Sequence, residues 1–298
     1  MSDSHHSIRP FIACIVGVVL FSAMDAVMKS ASLAIGAYSA YFLRCLIGFV
    51  LIAPPWWLRT RKWPKSYVLK VHALRGVVVA FMGWTFFFSL TRLPLAEAIA
   101  LSFVAPLIAL YLAAVLLGEK IERKAIIAAL LGLAGVIVIV GGKIGREHMG
   151  EETILGLIAL LLSAVLYAWN LVLQRQQALL ASPTEVSAFQ NGVAVAVLLV
   201  GAPLMLQVPT SERVWFDLVA GALLAVTAVM FLSWAYARAE AQALVPLEYT
   251  AFLWAALIGW LYFGEQVTLS TIAGTALIVV GCLIAIRRRP AHVESATV

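Results

Sequence analysis

The sequence predicts an all-α integral membrane protein of ten transmembrane helices, arranged as two inverted five-helix repeats. Three observations carry that expectation: an apolar surplus that no water-soluble globule could bury, apolar runs of bilayer length, and a repeat of the chain on itself at an offset of 146 residues. Of 298 residues, 63% are hydrophobic and 12% charged, and the mean hydropathy is +0.99. Soluble domains carry roughly a quarter charged residues. In lipid, backbone N–H and C=O groups must be satisfied within the protein, which leaves helices or a closed barrel. Long Leu, Ala, Val and Ile runs favour helices.

Crossing a hydrocarbon core of ~30 Å takes about 20 apolar residues. Cutting the chain at its charged and Pro/Gly-rich breaks yields spans at 11–29, 37–57, 68–90, 96–117, 124–141, 153–174, 184–206, 215–237, 244–263 and 268–287. The first run follows a short polar stretch and reaches small residues at Ala23 and Ala26, a pattern shared with cleaved leaders. Asp25 and Lys29 follow at once, and with so many later spans the run reads as an uncleaved helix.

The net charge of +6 raises the question of nucleic acid. The basic residues flank apolar runs, as topology determinants do, so the expected partner is the lipid bilayer and no nucleic acid. Arg9, Arg59, Arg61, Lys62, Lys65, Lys70, Lys120, Arg123, Lys124, Arg175, Arg238 and Arg287 to Arg289 fall on the side of the termini. The other side holds Lys29, Arg92, Lys143, Arg146 and Arg213. That bias predicts a multi-pass protein of the inner (plasma) membrane with both termini cytoplasmic. Trp56, Trp57, Trp63 and Trp215 at span ends fit an interfacial aromatic belt.

At the offset of 146, Arg92 falls on Arg238, Leu101 on Leu247, Ala105 on Ala251, Leu107 on Leu253, Ile126 on Ile272, Leu131 on Leu277 and Gly135 on Gly281. Shared hydrophobicity could supply the leucines and alanines, but Gly118-Glu119 also falls on Gly264-Glu265. The expected units are a first repeat at 1–143, a second at 144–290 and a cytoplasmic tail at 291–298. Five spans per half force the halves to insert with opposite orientation, the architecture of alternating-access carriers with a site at the repeat interface.

Leu74, Arg75 and Gly76 in helix three, the run Leu93-Pro94-Leu95-Ala96-Glu97-Ala98, Pro106, and Gly118-Glu119-Lys120-Ile121 form one set of motifs. Pro246-Leu247-Glu248-Tyr249, Trp254-Ala255 and Phe263-Gly264-Glu265 form the matching set. On these residues the chain resembles the drug/metabolite transporter superfamily, EamA type, over nearly its whole length. The resemblance implies a permease for a small organic metabolite such as an amino acid, S-adenosylmethionine, riboflavin or another cofactor-like solute. It also implies a central cavity among helices one, three, four, six, eight and nine, with five and ten at the periphery or at a homodimer contact. The glycine rows Gly132/Gly135 and Gly274/Gly281 suit close helix packing there. One departure is that Pro106 matches Phe252, with Pro246 further upstream, so helix nine is expected to bend elsewhere than helix four.

Charges inside spans cost at least ~2.5 kcal/mol each at a helix centre and so ask for a partner, a wet cavity or a function. Asp25 is either paired with Lys29 one turn on or a proton or substrate-cation partner. Arg44, matched with Asn191 in the second half, is either a bidentate anion ligand or a tie to a neighbouring helix. Glu248, after Pro246, sits where a helix N-terminus favours a carboxylate and where a substrate amine could meet it. Arg75 reads as a snorkelling residue, Glu97 as a helix-start charge, and Glu119 and Glu265 as caps of the helices that follow them. Trp84, Phe88, Tyr167, Trp169, Trp234, Tyr236 and Tyr249 are candidates for an aromatic cavity wall, with Asn170 and Gln174 adding amides, against the alternative of lipid-facing or interhelical packing.

Cys14, Cys45 and Cys282 lie in apolar runs without metal spacing, and no metal or cofactor motif is present. The five histidines fall in tails or near helix ends, and no nucleophile-base or metalloprotease motif lies in a span, so an enzyme is not expected. The absence of a Gly-x-x-x-x-Gly-Lys-Ser/Thr loop argues against a primary pump. A non-transporting receptor or structural membrane protein is the competing reading. The expected mechanism is alternating access, with hinges at 90–95 and 237–244.

Overall fold

The computed structural model describes residues 8–105, 107–108, 123–144, 150–239, 244 and 247–286. Pro106, Glu119, Pro246, the terminal arginines, and His5, His6, His148 and His292 lie outside the described residues, as do residues 240–243 of the second expected hinge. The described residues contain helices and turns and no strand. In order they form α1 (Arg9–Ile35), α2 (Ala37–Thr60), α3 (Ser66–Leu90), α4 (Leu95–Ser102), α5 (Arg123–Ile144), α6 (Glu151–Leu180), α7 (Pro183–Leu198), α8 (Glu212–Tyr236), α9 (Ala251–Phe263) and α10 (Leu269–Ile286). A 3-10 turn at Leu199–Gly201 and a last turn at Ala202–Met205 prolong α7. Six of these segments, α1, α2, α3, α6, the extended α7 and α8, are long and apolar enough to cross a bilayer.

Helix packing follows a pattern of exchange. α1 lies along α8 as α3 lies along α6; α2 packs on α8 as α3 packs on α7; α1 meets α9 as α6 meets α4. The contacts of α2 with α7, α4 with α9 and α5 with α10 map onto themselves when elements five apart are exchanged, whereas α1 packs on α2 more extensively than α6 does on α7. Glycine permits the closest of these approaches. A Cβ at Gly135 of α5 would lie 2.5 Å from the Gly274 carbonyl oxygen of α10, and one at Gly274 would lie 2.5 Å from that of Gly135. Gly83 of α3 leaves room for the ring of Tyr41, whose hydroxyl donates to the Val79 carbonyl at 2.8 Å.

The Gly-Glu motif has a geometric cause. Gly264 ends α9 in the left-handed region at φ 64, with its N–H on the Trp260 carbonyl, the 5→1 bond of an αL cap, and the Glu265 N–H on the Gly259 carbonyl. The turn folds Glu265 back over its own helix. Its carboxylate pairs with Lys29 of α1 and accepts from the Leu95 N–H of α4 at 2.7 Å, while Lys29 also donates to the Leu93 carbonyl at 2.8 Å. Two expectations are thereby corrected. Lys29 is drawn to Glu265 rather than to Asp25, and Glu265 caps α4 rather than the helix that follows it, because the left-handed turn aims its side chain away from α10.

α4 and α9 are interrupted at corresponding places. The helix of α4 gives way to a turn at Phe103 and Val104, and Leu247 and Glu248 are separated from α9 by a turn at Tyr249 and Thr250. At the 146-residue offset these turns coincide. The expectation that helix nine bends elsewhere for want of a proline is therefore corrected: both breaks are made by i to i−3 hydrogen bonds, Phe103 to Ala100 and Val104 to Leu101 in one, Thr250 to Leu247 and Leu253 to Thr250 in the other.

Candidate functional site

The interrupted helices border a cavity of about 230 Å³ whose wall is drawn from α1, α2, α3, α4, α6, α7, α8 and the segment leading into α9. Most of that wall is apolar, including Phe86, Phe87, Phe103 and Tyr249. Phe103 and Tyr249 meet edge to face with centroids 5.0 Å apart. Four charged side chains face the same space: Asp25, Arg44, Arg75 and Glu248.

Three of these charges, Arg75, Arg44 and Glu248, are held by neutral groups. Arg75 of α3 is buried, 5% exposed, and donates through Nε to the Asn170 amide oxygen at 2.9 Å, through Nη1 to that of Gln177, and through Nη2 to that of Gln174 at 3.5 Å. Asn170, Gln174 and Gln177 recur on one face of α6. Arg44 of α2, 4% exposed, lies over the Tyr41 ring at 4.8 Å and donates to the Cys45 sulfur at 2.9 Å, while its Nε has no hydrogen-bond partner among the described residues. Glu248 accepts the Tyr167 hydroxyl at 2.9 Å on one oxygen and the Tyr236 hydroxyl on the other. Asp25 makes no ion pair among the described residues, and none of the four charges lies within 4.0 Å of an opposite one there. Ser22 Oγ and Gln190 Oε1, also on the wall, are buried without a hydrogen bond among the described residues. Such groups cost about 1–3 kcal/mol each if left unmet and are disposed to meet a solute.

Of the residues singled out in the sequence, Asp25, Arg44, Tyr167, Asn170, Glu248 and Tyr249 come together on this wall. Trp84, Phe88, Trp169 and Trp234 do not. Trp84 packs edge to face on Tyr38 at 5.4 Å, Phe88 lies under the Arg92 guanidinium and Trp234 under that of Arg238, and Trp169 faces outward, 48% exposed. Arg75 does not snorkel, because three side-chain amides of α6 solvate it inside the protein. The polar i, i+4, i+7 stripe Asn170, Gln174, Gln177 was the signal that could have placed it. Arg44 faces the cavity as Gln190 does, whereas Asn191, its expected counterpart, binds the Ser187 carbonyl and lies off the wall; the offset of 146 pairs Arg44 with Gln190.

His72 was also missed. It is fully buried in the second turn of α3, stacked on Phe189 at 4.4 Å, with one ring nitrogen on Gln177 and the other 3.1 Å from Glu185 of α7. Glu185 occupies the position of a capping-box glutamate after Ser182, whose hydroxyl accepts the Glu185 N–H at 3.3 Å, but its carboxylate turns to His72. Among the described residues no cluster of His, Cys, Asp and Glu is arranged to hold a metal.

Comparison with known proteins agrees with this geometry. The EamA-like transporter family matches the chain twice, over residues 9–141 and 154–287. A pseudopaline exporter of Pseudomonas aeruginosa (strain UCBPP-PA14) is 30% identical over 269 residues, covering 88% of this chain and 90% of its own. An uncharacterized transporter of Helicobacter pylori (strain J99) is 31% identical over 235 residues, covering 74% and 76%. An S-adenosylmethionine uptake transporter of Rickettsia felis is 23% identical over 277 residues, covering 89% and 88%. A solved crystal structure shares the fold with a TM-score of 0.63 at 22% identity, covering 93% of this chain and 96% of its own. The matching family and the named relatives are transporters rather than enzymes. This multi-pass membrane protein belongs to the EamA-like transporter family.

Proposed function

We propose that the protein is a secondary transporter that moves a small organic metabolite bearing both a carboxylate and an amine across the inner membrane by alternating access. The observation that carries the solute class is the set of four cavity charges, two guanidiniums and two carboxylates, none of them paired with another among the described residues. A zwitterion satisfies both signs at once: its carboxylate at Arg75 or Arg44, its amine at Glu248 or Asp25, its carbon skeleton against Phe103 and Tyr249. A cavity of about 230 Å³ falls below the ~300–1,000 Å³ of drug-sized ligand sites and suits an amino-acid-sized solute. The relatives that export pseudopaline and take up S-adenosylmethionine support an organic solute class.

Ten spans in two inverted repeats, with bounds near 1–143 and 144–290, both termini cytoplasmic, are part of this reading. The twofold family match, the exchange pattern of helix packing and the coincident breaks support it. So does the cavity wall, where Phe21 and Tyr167, Met24 and Asn170, Arg44 and Gln190, Phe87 and Ser233, and Ser102 and Glu248 are lining residues 146 apart. Broken helices at a repeat interface are where carriers of this architecture hold their solutes. A homodimer contact on the outer faces of α5 and α10 belongs to the same reading.

A thermal-shift screen of the detergent-purified protein against amino acids, S-adenosylmethionine, nucleosides, riboflavin and polyamines tests it, because a ligand of the folded state stabilises by mass action. An amphoteric solute that stabilises the wild type and not Arg75→Gln is the expected result. Stabilisation only by solutes lacking a carboxylate would contradict it.

A further inference from the structure

The hydrogen-bond chain behind Arg75 has a fixed polarity. Arginine only donates, so Gln177 must present its amide oxygen to Arg75 Nη1 and its NH2 to His72 Nδ1. His72 Nδ1 is then an acceptor, and the ring proton sits on Nε2, donating to Glu185 Oε1. Glu185 in turn borders a surface recess with Trp63, Lys65 and Tyr67, on the side of the protein away from the Lys29 and Glu265 clamp. The groups that face His72 are few: Glu185 from α7, the neutral Gln177 from α6, Arg75 one turn on in α3, and the Phe189 ring. No other titratable side chain bonds to it among the described residues.

We propose that His72 is a proton-binding site which, with Glu185 as its counter-ion, switches the hydrogen bonding of Arg75 in the cavity. Nε2–H stays on the Glu185 carboxylate, and a proton taken up from water adds to the lone pair of Nδ1. That nitrogen becomes a donor facing the donor NH2 of Gln177, so the amide must turn over. Its oxygen leaves Arg75 for His72, and its NH2 now opposes the guanidinium. Arg75 loses one acceptor and gains a positive neighbour, and both changes favour an anion at its free N–H groups. Proton and carboxylate binding therefore reinforce each other. On the transporter reading above, on which the functional meaning of the switch rests, this makes the proton a coupling ion. His72 is a positioning residue here, since it acts through Gln177 and Arg75.

The test needs no knowledge of the natural solute and no flux. The full-length protein in detergent is labelled with 15N-histidine and 15N-arginine, and the ring and guanidinium resonances are followed from pH 8 to pH 5, with acetate as the carboxylate probe. The expected result is an Nε2–H tautomer of His72 at high pH, Arg75 resonances that shift in step with its titration, and acetate binding at Arg75 that tightens several-fold on acidification. In His72→Gln, confirmed as folded by its melting profile, the pH dependence of acetate binding should vanish; Glu185→Gln should leave Arg75 unperturbed in the neutral state. An Nδ1–H tautomer, Arg75 resonances that do not follow His72, or acetate binding with the same pH dependence in His72→Gln would overturn the proposal. Those failures would leave the solute screen untouched, and a failed screen would leave the titration untouched.

Discussion

Phe103 and Tyr249 touch edge to face, 5.0 Å between centroids, at the two points where α4 and the lead into α9 lose their helical hydrogen bonding. They lie 146 residues apart in the sequence, and both line the cavity. Aromatic pairs of this geometry contribute about 0.5–1.5 kcal/mol beyond their buried area. In a double-mutant cycle of Phe103→Leu and Tyr249→Leu, thermal unfolding should show coupling of about that size, and solute affinity should fall in each single variant. Additive stabilities would mean that the rings are merely neighbours.

The clamp between Lys29 and Glu265 ties α1, the start of α4 and the α9 to α10 turn together. Removing one partner of a buried pair costs up to about 3–5 kcal/mol, less here because the Glu265 side chain is 16% exposed. Lys29→Met should destabilise more than the double variant Lys29→Met with Glu265→Gln. It should also raise the labelling rate of a cysteine placed at Ser22 by a membrane-impermeant thiol reagent added from the outer side, measured on a background lacking Cys14, Cys45 and Cys282.

Gly135 and Gly274 set the approach of α5 to α10, away from the cavity. Gly135→Ala would bring a methyl group 2.5 Å from a carbonyl oxygen, an overpacking that costs about 1–3 kcal/mol. The melting temperature should drop while the solute dissociation constant of the folded fraction stays the same.

Glu248 is oriented by two phenols, and a hydrogen bond to a charged group contributes about 1.5–3 kcal/mol. Tyr167→Phe should weaken binding of the amine-bearing solute roughly tenfold, and Glu248→Gln should weaken it more. An analogue lacking the amine should be indifferent to both changes, as isothermal titration can show.

Apolar run lengths placed most helix ends within three residues, because a bilayer imposes length and hydrophobicity together, but α1 and α6 run six residues past the expected ends, to Ile35 and Leu180. The charged constellation was legible in part: Asp25, Arg44 and Glu248 stood out as costly residues in spans. Arg75 did not, since its distance from the helix end suggested escape to water and its solvation comes from α6, about a hundred residues away. The aromatic candidates divided for a related reason. Periodicity within a helix of apolar character on all sides does not say which face meets lipid, so Trp169 could not be told from Tyr167, two positions earlier. Glu265 was read from local sequence alone, and its partners are set by a left-handed turn and by helices distant in the chain.

The most direct measurement is counterflow in proteoliposomes, using whichever amphoteric solute the screen returns together with its des-amino and decarboxylated analogues, for the wild type, Arg75→Gln and Glu248→Gln. The account predicts exchange of the amphoteric solute by the wild type, loss of that exchange in both variants, and poor exchange of either analogue by the wild type. Undiminished exchange in both variants, or equal exchange of the decarboxylated analogue by the wild type, would contradict the claim that the unpaired cavity charges select the solute.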